Sequence, residues 1–362
     1  MEEKQVKQKK KRPWLFFSVS AILLLLTIAL SVEVPQDKEK KLRREFREAV
    51  KNKFPEQAAQ VARSFGLKKI AAEGDQPHGT EPDGRTVVLI HGLDDPGKVW
   101  MNLAPELVGR NYNVWTMRYP NDQPIHDSAL FFFDEMRQLR QKGVERIAIV
   151  GHSMGGLVSR EMLTDPEISY PAGVVDNRVP RVLALVMVGT PNHGSELARF
   201  RVLGEIREQW VHMTAGSGHW LRGILDGAGE AKIDLLPGSL FLESLNARPD
   251  PEGVKMLIIA GIASPWGKNQ IEKFVTAAQD KIPEGGRENL REIEKFLTSM
   301  TDGLGDGLVT VDSTRLDGVA HQTVRGTHLS MIRNITKGSR RIPPAVPIIV
   351  DYLEQVYAGG LQ

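Results

Sequence analysis

Five short runs of β-branched and apolar residues constrain the fold of this 362-residue chain more than any other feature. Such runs predict strands that are buried on both faces, and apolar residues with helical spacing lie between them, as at 126–142 and 156–163. Strands that alternate with helices predict an α/β fold with a mostly parallel central sheet and helices on both faces. The predicted strands are 86–90, 114–119, 146–150, 182–188 and 254–262.

The composition excludes several classes of protein. A 41% hydrophobic and 25% charged sequence is that of an ordinary globular protein. The chain has 47 Lys and Arg against 45 Asp and Glu, and this near-neutral balance argues against a nucleic-acid partner, which needs a clustered basic surplus. The absence of cysteine excludes disulfides, thiolate metal sites and a cysteine nucleophile.

The amino-terminal residues differ from the rest of the chain. A basic tail at 1–13 precedes a 19-residue uncharged stretch at 14–32, which is long enough to cross a bilayer as a helix. We therefore predict a single-pass anchor at 14–34. A cleaved signal is the alternative, because Ala29 and Ser31 fit a small-residue cleavage site, and a buried soluble helix is a third possibility. Basic residues flank both sides, and those at 9–12 favour a cytoplasmic amino end and an extracytoplasmic main body.

A charged segment separates this predicted anchor from the main body. Residues 35–84 are predicted to form a helical stalk or linker, and the helical pattern covers 37–64. We interpret the segment as a solvated stalk; the alternative is a basic face that binds anionic headgroups. The main body is predicted at 85–362, with one insertion at 196–235 and a second, solvated one at 265–300.

The strongest chemical signal is the sequence Gly-His-Ser-Met-Gly-Gly at 151–156, which follows a predicted strand and precedes a predicted helix. It matches G-x-S-x-G, a sharp strand-to-helix turn that lifts the serine hydroxyl above the edge of the sheet. The helix start also offers free N–H groups to developing negative charge. The pattern predicts Ser153 as a nucleophile and the adjacent His152 as a structural residue.

A serine hydroxyl needs a base and an acid that orients the base. We predict His328, in a loop before a helix-like run, as the base; the competing His321 lies inside an apparent strand at 319–324. Asp306 lies between two glycines, 22 residues before His328, and is the predicted acid. The carboxylates that compete with it are Asp302, Asp312 and Asp317. For the oxyanion, the predicted donors are the backbone N–H groups of Leu93 and Met154.

Six segments in this order resemble the lipase-type α/β-hydrolases, in particular bacterial triacylglycerol lipases and GPI-inositol-deacylase-like lipases. The resemblance spans about 85–334 and implies an α/β-hydrolase fold. It also implies Ser153, Asp306 and His328 as the catalytic triad, in agreement with the residue patterns. The segments are VVLIHG (87–92), GHSMGG (151–156), GTPNHGS (189–195), LPGSLFLESLN (236–246), GDGLV (305–309) and THLSM (327–331).

Two further expectations concern metals and the first insertion. Lipases of this type often carry a calcium-ligating Asp two residues after the catalytic histidine, where this chain has Ser330, so we expect no metal and no cofactor. Residues 200–230 are apolar and rich in glycine, which fits either a lid that opens at a lipid surface or a static cap. The predicted lid or substrate-binding residues are Trp210, Met213, Trp220 and Leu221.

These patterns together predict a membrane-tethered serine carboxylic-ester hydrolase, a lipase or esterase that acts through an acyl-enzyme on a lipid or acyl ester. The alternatives on the same triad are an acyltransferase, a thioesterase or an amidase. An inactive membrane scaffold is the alternative from a different class of protein.

Overall fold

The computed structural model describes residues 36–70, 84–195 except 94 and 96, 198, 230–263, 268–279, 294–295, 298 and 305–359 except 337. The predicted basic tail, the anchor at 14–34 and the lid residues at 210, 213, 220 and 221 lie outside these residues. Within them, none of the helices combines the length and the apolar character needed to cross a bilayer.

A seven-stranded sheet forms the centre of the molecule, in the order β1-β3-β2-β4-β5-β6-β7. Every neighbouring pair is parallel except β1 and β3, which are antiparallel. All five predicted strands are present with bounds shifted by one or two residues, and the predicted α/β class is confirmed. The strands are β1 Gly66–Ile70, β2 Thr86–Ile90, β3 Asn113–Arg118, β4 Arg146–His152, β5 Arg181–Val188, β6 Lys255–Gly261 and β7 Ala320–Val324.

Helices connect the strands and cover the sheet. The two helices predicted from spacing correspond to α4 and α5. The described helices are α1 Gln36–Lys53, α2 Pro55–Ala62, α3 Leu103–Gly109, α4 Ile125–Gln141, α5 Met154–Thr164, α6 Tyr170–Val175, α7 Glu230–Asp234, α8 Leu240–Asn246, α9 Lys268–Gln279, α10 Val311–Thr314 and α11 Ala345–Gly359.

The core has two layers because successive strand residues point to opposite faces of the sheet. Ile149 of β4 belongs to the layer that contains Phe132 of α4 and Leu157 of α5. Its neighbour Val150 belongs to the opposite layer, with Ile349 of α11. All five side chains are fully buried, and each such side chain contributes about 1.5–3 kcal/mol. Helices packed against both faces therefore stabilise the central sheet.

Strand β1 lies inside the segment that was predicted to be a stalk or linker. Gly66 pairs with Arg118 at the carboxyl end of β3, and the Leu67 N–H donates to Glu135 Oε2 at 2.6 Å. The predicted boundary of the main body at residue 85 is therefore too late. The pattern failed here because an edge strand needs little apolar surface, and Lys68 and Lys69 of β1 are exposed.

Helix α1 is also part of the main body rather than a solvated stalk. The Arg47 guanidinium is 4% exposed and lies 2.7 Å from the fully buried Glu230 carboxylate of α7. Lys40 pairs with Asp234, which is also on α7. The helical prediction for 37–64 is correct except for a break at Phe54, where Pro55 begins α2.

Candidate active site

Ser153 occupies the turn between β4 and α5 with φ 53° and ψ −128°. A non-glycine residue seldom adopts a positive φ, and such a conformation costs about 1–3 kcal/mol, so the surrounding contacts must hold it. The Ser153 N–H donates to the Val188 carbonyl at 2.8 Å, and the Ser153 carbonyl accepts from the Gly156 N–H at 3.1 Å. The Ser153 side chain makes no capping hydrogen bond to the helix that it precedes.

Glycines allow neighbouring segments to approach this turn closely. A Cβ at Gly92 would lie 2.7 Å from Ser153 Cβ, which is shorter than real contacts. A Cβ at Gly155 would collide with the carbonyl oxygen of Ile90. The loop after β2 therefore lies directly against the serine, and only glycine permits this at both positions.

The structure brings His328 and Asp306 together. His328 Nδ1 lies 2.7 Å from Asp306 Oδ2, and both residues are buried. Asp306 Oδ1 accepts the N–H groups of Leu308 at 2.9 Å and Val309 at 2.8 Å, and the Asp306 carbonyl accepts the His328 N–H at 2.9 Å. An ionised Asp306 can only accept from His328, so Nδ1 carries the proton and Nε2 is the basic nitrogen.

Residues next to Ser153 connect it to His328 at the carboxyl ends of β4 and β5. The residue before the serine, His152, lies with its ring centroid 4.7 Å from that of His328. Gly189, which follows the Val188 carbonyl bonded to Ser153, would place a Cβ 3.2 Å from His328 Cε1. No hydrogen bond joins these two described side chains, Ser153 and His328, to each other; such bonds often tighten only when substrate binds.

The competing site residues lie elsewhere or outside the described residues. His321 is on β7, where its Nε2 lies 2.9 Å from Thr314 Oγ1. Asp312 and Asp317 are exposed, and Asp302 lies outside the described residues. Of the predicted acids that the structure describes, Asp306 is the one that contacts His328.

The two predicted oxyanion donors lie on segments that contact the nucleophile. Met154 is the first residue of α5, where backbone N–H groups have no partner within the helix. Leu93 follows Gly92, the residue packed against Ser153. The loop is fixed by His91, whose Nδ1–H donates to the Gly92 carbonyl at 2.8 Å. Burial lowers the pKa of His91, so its imidazole is neutral in this role.

Sequence reasoning assigned no role to Tyr119. It predicted His152 as a structural residue without naming the residue that it contacts. The Tyr119 hydroxyl donates to the His91 carbonyl at 2.6 Å and thereby holds the loop that carries Leu93. His152 Nε2–H donates to the His328 carbonyl at 3.0 Å. Burial lowers the pKa of His152 well below its ordinary value, and the adjacent His328 adds to this effect. His152 is therefore a neutral donor that positions the backbone of His328.

A buried arginine holds the loop at 189–195, which the sequence singled out without assigning a role to its residues. Arg160 Nη1 donates to Asn192 Oδ1 at 3.1 Å and to Asn246 Oδ1 at 2.9 Å. Asn192 Nδ2 in turn donates to the Thr314 carbonyl at 2.7 Å. Burial lowers the pKa of Arg160 to about 10, so it stays charged at neutral pH. Arg160, on the helix that follows Ser153, thus ties α5, α8 and the chain after Asp306 together.

Metal ligands are few among the described residues. The His, Asp and Glu side chains there bring potential ligand atoms together at one place, His126, Asp165 and Glu167. The Arg248 guanidinium lies 3.0 Å from Asp165 Oδ2 and competes with any cation at this carboxylate. Ser330 Oγ accepts the Thr327 N–H at 2.8 Å within its own turn. The prediction of a metal-independent site remains a prediction.

Comparison with known proteins bears on the family and the fold of the chain. The model of the alpha/beta hydrolase family matches residues 87–294. Triacylglycerol lipase of Pseudomonas fragi is 25% identical over 245 residues, which cover 61% of this chain and 76% of that protein. A pimeloyl-[acyl-carrier protein] methyl ester esterase of Aliivibrio fischeri is 33% identical over 90 residues, which cover 24% of this chain and 35% of the esterase.

Solved structures share the fold at low sequence identity. A lipase of Staphylococcus hyicus superposes with a TM-score of 0.52 at 15% identity, over 80% of this chain and 100% of the lipase. The mature form of a Bacillus licheniformis lipase superposes with a TM-score of 0.51 at 20% identity, over 79% of this chain and 97% of that lipase. At these identities the superpositions establish the common architecture alone.

Proposed function

The chain belongs to the alpha/beta hydrolase family, and we propose that it is a serine carboxylic-ester hydrolase, a lipase or esterase tethered to a membrane. Its resemblance to the lipase-type members of the family is confirmed. The observation that carries the proposal is the buried 2.7 Å contact between His328 and Asp306 beside the strained turn of Ser153. An imidazole held by a carboxylate next to a raised hydroxyl is the arrangement that activates a serine.

The reaction proceeds in two halves on these residues. His328 Nε2 takes the Ser153 proton as Oγ attacks the ester carbonyl carbon, and the N–H groups of Leu93 and Met154 bind the oxyanion. The C–O bond then breaks, and His328 gives the proton to the leaving alcohol. Water, deprotonated by the same imidazole, attacks the acyl-enzyme and releases the carboxylic acid and free Ser153. Asp306 orients His328 and stabilises its imidazolium throughout.

The membrane tether is supported by the sequence. Residues 14–32 carry no charge, and their length matches the hydrocarbon core of a bilayer. Ester substrates are supported by the lipase and esterase names of the relatives. We propose a lipid or acyl ester as substrate and an extracytoplasmic catalytic domain.

Active-site labelling tests the chemistry directly. A fluorophosphonate probe should label the wild-type chain and not Ser153→Ala, and Ser153→Ala should lose p-nitrophenyl ester turnover while its circular dichroism is unchanged. His328→Ala should be nearly as inactive, because members of such a site act as a unit. His321→Ala is the matched control and should retain turnover, since its ring contacts Thr314. Turnover retained by folded Ser153→Ala would refute the nucleophile.

A further inference from the structure

The direction of β1 determines where the amino-terminal segment reaches the domain. β1 is antiparallel to β3, and its first residue, Gly66, pairs with Arg118 at the carboxyl end of β3. The described chain before Gly66, which begins at Gln36, therefore arrives at the carboxyl edge of the sheet. Ser153 follows β4, which is parallel to β2 and β3, so it lies at that same edge. The amino-terminal helices and the candidate active site share one side of the molecule.

Ion pairs fix α1 to this edge. Arg47 Nη1 lies 2.7 Å from Glu230 Oε2, and its Nη2 lies 3.4 Å from Asp127 Oδ2 at the start of α4. Lys40 pairs with Asp234, whose Oδ2 also accepts the Ile125 N–H at 2.9 Å. Because Glu230 and Asp234 are buried, these contacts are shielded from solvent and only weakly screened by salt. Helix α1 is therefore a fixed part of the domain and not a free tether.

The amino half of α1 carries exposed basic and apolar side chains next to each other. The helix contains eight basic and four acidic residues, and three of the basic ones lie within ion-pair distance of a carboxylate of α7, namely Lys40, Arg44 and Arg47. Lys38 and Lys41 are exposed, and so is Leu42, which follows Lys41, lies one helical turn after Lys38 and is 62% exposed. Cations beside an exposed apolar side chain match the headgroup region of an anionic bilayer.

The length of chain before α1 brings this face close to a membrane. The predicted anchor ends at residue 34 and α1 begins at Gln36. Two residues span at most about 7 Å, which is comparable to the thickness of one headgroup layer. An anchored chain therefore holds the amino end of α1 at the membrane surface.

We propose that Lys38, Lys41 and Leu42 of α1 dock on the anionic surface of the bilayer that holds the anchor, and that α1 thereby turns the carboxyl edge of the sheet toward that bilayer. The docking rests on the membrane tether of the proposed function. The docking of α1 implies a substrate class. The substrates are esters whose acyl chains lie in the same bilayer, and they reach Ser153 from the membrane side without crossing bulk water.

The absence of cysteine from the chain allows a site-specific test. The full chain carrying Leu42→Cys is labelled with an environment-sensitive fluorophore and reconstituted into phosphatidylcholine–phosphatidylglycerol vesicles that contain a headgroup-level quencher lipid. Val175→Cys is the matched control, because Val175 is 85% exposed at the end of α6, before the amino end of β5 and so on the opposite edge. Quenching at position 42 should exceed that at position 175 about threefold or more. Equal quenching at the two positions would overturn the proposal.

A charge reversal tests the anionic partner. In the Leu42→Cys background, Lys38→Glu with Lys41→Glu should lower the quenching in phosphatidylglycerol vesicles and leave it unchanged in pure phosphatidylcholine. Arg137→Glu, on the exposed side of α4, is the matched reversal and should have no effect. Quenching that is the same in both vesicles and insensitive to Lys38 and Lys41 would overturn an anionic surface as the partner. Because no readout uses catalysis, an inactive chain that still docks would refute the proposed function alone.

Discussion

Ser153 and Ser169 are two serines with the same positive φ of 53°, one at the candidate nucleophile and one in a surface turn. Glycine adopts a positive φ at little steric cost, so it should relieve strain at either position. We expect Ser153→Gly to abolish ester turnover and to raise the free energy of unfolding by about 1 kcal/mol. Urea unfolding monitored by tryptophan fluorescence measures the second quantity.

Ser169→Gly is the control for this comparison. It should leave turnover unchanged and alter stability less, because its conformation is ordinary left-handed helix and its hydroxyl donates to the Pro166 carbonyl at 2.6 Å. A Ser153→Gly chain that is less stable than wild type would mean that the turn is not strained by its side chain.

At the scale of single residues, the sequence predicted the candidate catalytic side chains, but not the residues that hold them in place. Asp306 and His328 were predicted because each lies in a loop with a recognisable pattern, and the structure places them in contact. Arg160 and Tyr119 were missed because a helix or strand end with apolar neighbours gives no sign of a buried hydrogen bond to a distant loop. Such partners depend on tertiary contacts that local patterns do not encode.

Among the elements, α1 is attached to α7 by ion pairs to two buried carboxylates, Arg47 to Glu230 and Lys40 to Asp234. Arg47→Ala removes the nearer cation of the buried Glu230 carboxylate and leaves Arg44 at 4.0 Å, and breaking such a buried pair costs up to about 3–5 kcal/mol. We expect a corresponding fall in the free energy of unfolding. Replacing both residues, as Arg47→Met with Glu230→Leu, should restore most of it, because no uncompensated charge is then buried.

The control for this ion pair is Arg110→Ala, which removes two exposed pairs, with Glu106 and with Glu354. Its effect should be much smaller than that of Arg47→Ala, since solvent screens exposed charges. Equal effects of the two substitutions in urea unfolding would show that the Arg47–Glu230 pair stabilises the domain no more than an exposed pair does.

His126 connects α4 to α5 through a 2.9 Å hydrogen bond from its Nδ1 to Glu161 Oε1. This bond raises the pKa of His126 above its ordinary 6.5, and Asp165 and Asp127 act in the same direction, whereas burial opposes it. A raised pKa in the folded state adds stability that is full below the unfolded pKa and is lost as pH rises through the folded pKa.

His126→Gln should therefore be less stable than wild type at about pH 5.5 and equally stable at about pH 9. Partial exposure of the ring limits the expected difference to about 1 kcal/mol or less. Urea unfolding at the two pH values measures it. A difference that grows with pH would have the wrong sign and would exclude the bond to Glu161 as its cause.

The parallel strands were predictable because their side chains are buried on both faces and therefore read as continuous apolar runs. Strand β1 was not predictable in this way, because both its lysines are exposed at the edge of the sheet and interrupt any apolar run. Helix α1 was predicted as a helix, but its partner Asp234 lies 194 residues from Lys40, and no local pattern connects positions that far apart.

For the whole molecule, the inclusion of α1 and β1 in the domain gives a truncation test. A chain that begins at Gln36 keeps both elements, so it should fold and label with a fluorophosphonate. A chain that begins at residue 84 lacks them, which unpairs the edge of β3 and leaves Glu230 and Asp234 buried without Lys40 or Arg47. Its melting temperature should fall by about 5 °C or more, with aggregation on size-exclusion chromatography. Equal melting temperatures would restore the boundary near residue 85.

Helices α1 and α7 lie far apart in the sequence, and this separation determines when they can pack together during synthesis of the chain. Helix α1 leaves the ribosome early, but the carboxylates that receive its cations follow nearly two hundred residues later. Contacts between positions so far apart form slowly, because a long loop must close before they do. Helix α1 is therefore expected to stay undocked until α7 has been made, and a nascent chain stalled before residue 230 lacks the α7 carboxylates that pair with Lys40 and Arg47.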